Sequence, residues 1–163
     1  MKSPVLLNEF LSGAPRADCW RYDEGNEIVC AARGAAKNRI YLRAAVPAIA
    51  LETDGDAFRF PPDVNQEVCD WCVFTIEGKR GYFVELKGSD FEHSLAQLSS
   101  TIGYMSRQYN IEPKKAFSVL NGAHPRNSRP GKANAKLRFK RKWPDVELHE
   151  RTNGSKNTLD VVK

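Results

Sequence analysis

Two apolar runs, residues 68–76 and 81–87, flank the tetrapeptide Glu77-Gly78-Lys79-Arg80, and no other stretch constrains the fold as much. Both runs are rich in Val and aromatic residues, and the polar link contains glycine, so the segment predicts a β-hairpin. A two-residue Gly78-Lys79 turn sets Glu77 opposite Arg80. Asp70 then stands opposite Lys87 and diagonal to Glu85, within about 7–8 Å. Glu85 and Lys87, two apart on one strand, share a face at about 6.6 Å. A loop of odd length would send Asp70 to the other side.

Gly88-Ser89-Asp90 breaks the second strand and offers an N-cap. Phe91, Leu95, Leu98, Ile102 and Met105 then recur at spacings of four and three, predicting an amphipathic helix to about Tyr109. Pro113 closes that segment, 116–120 reads as a strand, and 121–131 is a loop dense in Gly, Pro, Asn and Ser. Residues 132–142 predict a basic helix, although 135–139 also alternate as a strand would. A last strand covers 146–152, and the final ten residues are expected to fray. Upstream, Ser3-Pro4 starts a short helix that Gly13 ends. Residues 14–38 are weakly patterned, with one strand near 28–32. The stretch 40–51 is apolar and partly β-branched, with Pro47 marking an edge or bulge. Thr53-Asp54-Gly55-Asp56 is a turn before a short strand at 57–60. This order describes an α/β fold, a mixed central β-sheet flanked by helices. At 163 residues the chain makes one domain, its core at about 40–152 and a basic third at 112–163.

Charge is informative once divided. Residues 1–111 hold 12 Lys/Arg against 15 Asp/Glu, a net of −3; residues 112–163 hold 13 against 5, a net of +8. A basic third beside a carboxylate-bearing middle suits a polyanion held near a metal. No apolar run reaches the ~18 residues of a membrane span, and no signal-peptide pattern opens the chain. The expectation is a cytoplasmic protein with no membrane partner. Four cysteines are too sparse for a disulfide scaffold. Cys69-x-x-Cys72 invites a zinc or redox reading, but its flanks read as strand, where residues three apart face opposite sides. No second ligand pair is spaced for zinc, so buried thiols are expected. His93, His124 and His149 lack metal-ligand spacing.

The hairpin carries the chemistry. Ionic groups at Asp70, Glu85 and Lys87 are set among Val73, Phe74, Phe83, Val84 and Leu86, where a charge is costly unless paired or bound to metal. Two carboxylates repel, and a divalent cation removes that repulsion. Asp70 and Glu85 oxygens, the Leu86 carbonyl and several waters suit Mg²⁺, with Mn²⁺ a replacement. Such a metal polarises a phosphoryl oxygen and acidifies water, and Lys87 orients that water or stabilises charge on phosphate. An ion pair at a strand end is the plainer alternative. Lys132, Lys136 and Lys140, spaced by four, align on a helix with Arg141 beside them. With Arg126 and Arg129 of the preceding loop they form a candidate phosphate-contacting arm.

An Asp near the start of one strand, then Glu-x-Lys on the adjoining strand, then a helix, resembles the PD-(D/E)xK nuclease superfamily. The residues are Asp70 in Val68-Cys69-Asp70-Trp71 and Glu85-Leu86-Lys87 in Tyr82-Phe83-Val84-Glu85-Leu86-Lys87-Gly88. The resemblance spans roughly 66–152 in order of elements, with three diagnostic positions. It implies a restriction-endonuclease-like core and metal-dependent hydrolysis of phosphodiesters in DNA, with Asp70 and Glu85 as ligands and Lys87 at the water. Cys69 stands where the family often has Pro. Some members add a helical Gln; Gln97 matches loosely, off the apolar stripe, facing either the site or solvent. A further N-terminal acid, which varies in the family, is open among Glu9, Glu27, Glu52 and Glu67. The leading expectation is a small Mg²⁺-dependent endonuclease acting on DNA in restriction, defence or repair, with a homodimer as an analogy-based option. The alternatives are a non-catalytic nucleic-acid-binding module and a cysteine-based zinc or redox protein.

Overall fold

A computed structural model describes residues 20–23, 27–32, 35–43, 46–53, 67–87, 90–120, 129–153 and 156–157. The expected helix at 3–13, the strand at 57–60, His124 and Arg126 lie outside the described residues. The strands are β1 (Trp20–Asp23), β2 (Glu27–Ala32), β3 (Ala35–Arg43), β4 (Ala48–Glu52), β5 (Trp71–Thr75), β6 (Arg80–Lys87), β7 (Glu112–Leu120), β8 (Glu147–Thr152) and β9 (Lys156–Asn157). The helices are α1 (Phe91–Tyr109) and α2 (Arg129–Lys142).

A mixed sheet of six strands, ordered β1-β4-β5-β6-β7-β8, forms the centre. Its first half is antiparallel, and β6, β7 and β8 run parallel. Parallel neighbours require crossovers, and α1 and α2 supply them. Both helices cover one face, where Phe91, Leu95, Leu98 and Ile102 of α1 and Phe139 of α2 pack on Phe74 and Phe83. A smaller sheet, β2-β3-β9, covers the other face, setting Ile28, Ile40 and Leu42 against Val73, Tyr82, Val84 and Phe117. Covered on both sides, β5 and β6 can be apolar at every position, which explains their unbroken runs. No helix among the described residues is long and apolar enough to cross a membrane.

The hairpin forms with a register two residues from the expected one. Trp71 pairs Val84 and Phe74 pairs Gly81, so residues 76–79 make a four-residue loop. The buried Thr75 hydroxyl accepts from the Arg80 amide at 3.0 Å and donates to the Glu77 carbonyl at 2.6 Å. Gly78 and Lys79 both take positive φ, 76° and 48°. A side chain thus closes the loop two residues earlier on the β5 side, while β6 still begins at Arg80. Because the shift is even, every side chain keeps its face.

Other expectations move for physical reasons. The stretch 40–51 divides between sheets, β3 in the small one and β4 in the large one. Pro47 has no amide to give a ladder and stands between them, its carbonyl accepting from Ile76 N–H. β7 begins at Glu112 rather than 116, with Pro113 near its start, where a missing amide is tolerated. Residues 156–157, expected to fray, pair in parallel with Tyr41 and Leu42. α1 matches its expected limits. Asp90 Oδ1 caps the first turn by accepting from His93 N–H, and Asn110, left-handed at φ 54°, ends it.

A methyl group at Gly81 would lie 2.5 Å from Ile111 Cγ2 and 2.9 Å from a Phe83 ring carbon. Gly81→Ala is therefore expected to destabilise by about 1–3 kcal/mol, lowering the thermal midpoint by roughly 3–10 °C. An unchanged midpoint by circular dichroism would contradict this packing.

Candidate active site

Alternation along β6 sends Phe83 and Glu85 to the helical face, and Cys72 and Phe74 of β5 share it. One step beyond the Trp71–Val84 pair, the same register sets Asp70 opposite Glu85, not Lys87 as expected. Glu85 pairs in register with Ser118, and Ser118 with Glu150. Asp70, Glu85, Ser118 and Glu150 therefore make a row across four strands at about 4.8 Å per strand. The row lies toward the carboxyl ends of the parallel strands, where open α/β sheets form their crevices. Ser94 of α1 closes over it, its Oγ 2.7 Å from Ser118 Oγ. Glu85 is 2% exposed, and taking such a carboxylate out of water costs several kcal/mol unless charge or hydrogen bonds compensate.

Asp70 sits at a bend just before β5, and side chains hold that bend in place. Gln97 Nε2 donates to the Val68 carbonyl at 3.0 Å, and Thr101 Oγ1 accepts from Cys69 N–H at 2.8 Å. The Thr53 hydroxyl donates to the Cys69 carbonyl, and Thr53 N–H donates to the Asp70 carbonyl at 2.8 Å. The Asp70 carboxylate turns along the sheet, where Oδ2 accepts from Leu86 N–H at 2.6 Å. It takes the place of the backbone carbonyl that a longer β5 would provide.

Among the residues singled out from the sequence, the fold brings together Asp70, Glu85, Leu86 and Gln97. Gln97 is buried, 8% exposed, and reaches the Asp70 segment rather than solvent. Lys87 occupies the last position of β6, beside Leu120 of β7; its side chain lies outside the described residues. Thr53, Thr101, Ser94 and Asn38 were missed. Asn38 Nδ2 donates to the Leu86 carbonyl at 3.2 Å. A signal for three helical residues was present: Ser94, Gln97 and Thr101 recur at spacings of three and four beside the apolar stripe, and all are buried.

Among the described residues no three His, Cys, Asp or Glu gather as ligands. What the site offers is two carboxylates and the Leu86 carbonyl. Hard oxygens in that number fit Mg²⁺, which takes one or two carboxylates and keeps several waters. Zinc chemistry fits poorly. Cys69 and Cys72 are both fully buried in the helical-face core, not on opposite sides as expected, because Cys69 precedes the strand proper. Burial pushes both thiols up, and for Cys69 the Glu85 and Asp70 charges push further, so both stay protonated.

α2 forms from Arg129 rather than from 132, and two lysines of its stripe turn inward. Lys132 and Lys136 both ion-pair with Glu150, and their ammoniums lie 4.9 and 5.7 Å from the Phe91 ring centroid. Lys140 Nζ donates to the Val146 carbonyl at 2.9 Å. Arg138 and Arg141 are exposed, while the Arg129 side chain lies outside the described residues. A groove of about 210 Å³ between α1 and α2 is lined by Glu92, Ser99, Arg138 and Lys142 among others. It includes none of Asp70, Glu85 or Gln97.

Thr101→Val keeps the shape but leaves the buried Cys69 amide without its acceptor. The expected loss is about 1–3 kcal/mol in denaturant unfolding. Burial disfavours the charged form of Glu150, but Lys132 and Lys136 outweigh it and hold the carboxyl below its ordinary value. A depressed folded-state pKa stabilises above the unfolded value near about 4.3 and is lost as pH falls through the folded one. Glu150→Gln should therefore lower the melting temperature at pH 7, and the gap to wild type should close as pH drops below 4.3. A gap that stays constant with pH would contradict the pairing.

Comparison with family models, curated proteins and solved structures finds no match to this chain.

Proposed function

We propose that the chain is a divalent-metal-dependent nuclease with a restriction-endonuclease-like core, acting on DNA as a small endonuclease. The observation that carries this reading is the register that sets Asp70 opposite Glu85, with the Asp70 carboxylate on the amide of Leu86 in E-x-K. The antiparallel run β4-β5-β6, followed by α1 and the parallel β7, also supports it. In that order, Asp70 precedes one strand and Glu85-Leu86-Lys87 ends its neighbour.

In this reading Asp70, Glu85 and the Leu86 carbonyl hold the cation. Bound there, Mg²⁺ or Mn²⁺ supplies Lewis acidity toward a phosphoryl oxygen and a more acidic water. The Leu86 amide fixes the Asp70 carboxylate through Oδ2. Gln97 fixes the bend that carries Asp70. Lys87 is assigned to the attacking water or to charge developing on phosphate. The +8 balance of residues 112–163 favours a polyanionic substrate. With Lys132 and Lys136 committed to Glu150, the exposed cations of α2 offered to phosphate are Lys140, Arg141, Lys142 and Arg138, the last also 3.7 Å from Glu92.

Wild type, Glu85→Gln and Lys87→Ala are to be incubated with plasmid and single-stranded DNA in Mg²⁺, Mn²⁺ and EDTA. Wild type should cut only with metal, and each variant should lose at least about 100-fold in rate while still binding DNA. Cleavage that survives in Glu85→Gln rejects this site. DNA retained by wild type without cutting favours a binding module instead.

A further inference from the structure

Asn38 belongs to the small sheet yet reaches the E-x-K strand. It lies where the β2–β3 ladder is interrupted: pairing passes from Ala31–Arg39 to Ala32–Ala35, leaving Ala36, Lys37 and Asn38 outside it. Bulges of this kind re-aim side chains and are frequent beside active sites. The Asn38 amide is 8% exposed and donates through Nδ2 to the Leu86 carbonyl. Its Oδ1 is buried, and among the described residues no group donates to it.

The arrangement repeats on the helical side. Gln97 donates to the Val68 carbonyl, and its own Oε1 is likewise buried and receives no donor among the described residues. Two amides, from α1 and from β3, thus each hold a carbonyl of the segments bearing Asp70 and Glu85. Each also keeps an acceptor oxygen in reserve. An amide oxygen buried without a donor is costly, so each of these two, on opposite faces of the segments that bear the carboxylates, calls for one. Water on a divalent cation is a strong one, and Mg²⁺ retains several such waters.

We propose that Asn38 is a positioning residue of the cation site. Its Nδ2 fixes the Leu86 carbonyl, and its Oδ1 accepts a hydrogen bond from a cation-bound water. This rests on the nuclease reading above, with the small sheet as an added wall of the site. Outer partners of this kind typically change metal affinity by about 10–100-fold.

The test is Mn²⁺ binding by titration calorimetry without DNA, using wild type, Glu85→Gln and Asn38→Leu, with folding checked by circular dichroism. Wild type should bind, Glu85→Gln should lose binding, and Asn38→Leu should bind about 10–100-fold more weakly with its fold intact. Asn38→Ala, which also removes Oδ1, is read in the same way and decides the matter if Asn38→Leu does not fold. Loss in Glu85→Gln with wild-type affinity in the folded Asn38 variants overturns this inference and leaves the carboxylate site standing. Equal binding, or none, by wild type and Glu85→Gln overturns the carboxylate site and Asn38 with it.

Discussion

The site depends on how three residues before β5 satisfy their backbone groups. Val68, Cys69 and Asp70 lie outside the ladder, and a buried peptide group without a partner is costly. Thr53, Gln97 and Thr101 supply the partners, drawn from the end of β4 and the middle of α1. Because both elements also belong to the helical-face core, the bend inherits their rigidity. The Asp70 carboxylate is fixed in turn by the Leu86 amide. Core packing and the placement of the acidic pair are therefore one problem, solved by the same helix.

From that bend the polar row extends across the sheet in a setting that is otherwise apolar. Phe74, Phe83 and Phe91 surround it, each at most 1% exposed. Low polarizability around Glu85 strengthens every electrostatic contact there. At the far end Glu150 draws two lysines of α2 onto the sheet, and the Phe91 ring shares their charge. Basic residues that looked available for a polyanion thus fasten α2 to α1 and β8, leaving Arg138 and Arg141 outward.

Local features were legible and distant ones were not. The hairpin could be read from two apolar runs and a polar link, and α1 from its stripe and its Asp90 cap. The face shared by Asp70 and Glu85 could be read as well, because an even slip in register preserves it. The register itself could not, since it turns on the Thr75 hydroxyl, whose competition with the backbone leaves no trace in hydropathy. Gln97 escaped a firm assignment because a helix judged by its apolar stripe treats polar neighbours as solvent-facing. Asn38 gave no signal at all. It falls in a weakly patterned stretch, and its importance comes from a ladder interruption and from Leu86, 48 positions away.

The parallel pairing of β9 with β3 has a consequence for biosynthesis. Tyr41 and Leu42 meet residues 156 and 157, so the small sheet gains its third strand only after those residues have left the ribosome. Contacts so remote in sequence form late and slowly. The central hairpin and α1 have partners nearby and can assemble as they emerge. The nascent molecule would then carry its acidic pair early and gain the edge strand of its covering layer last.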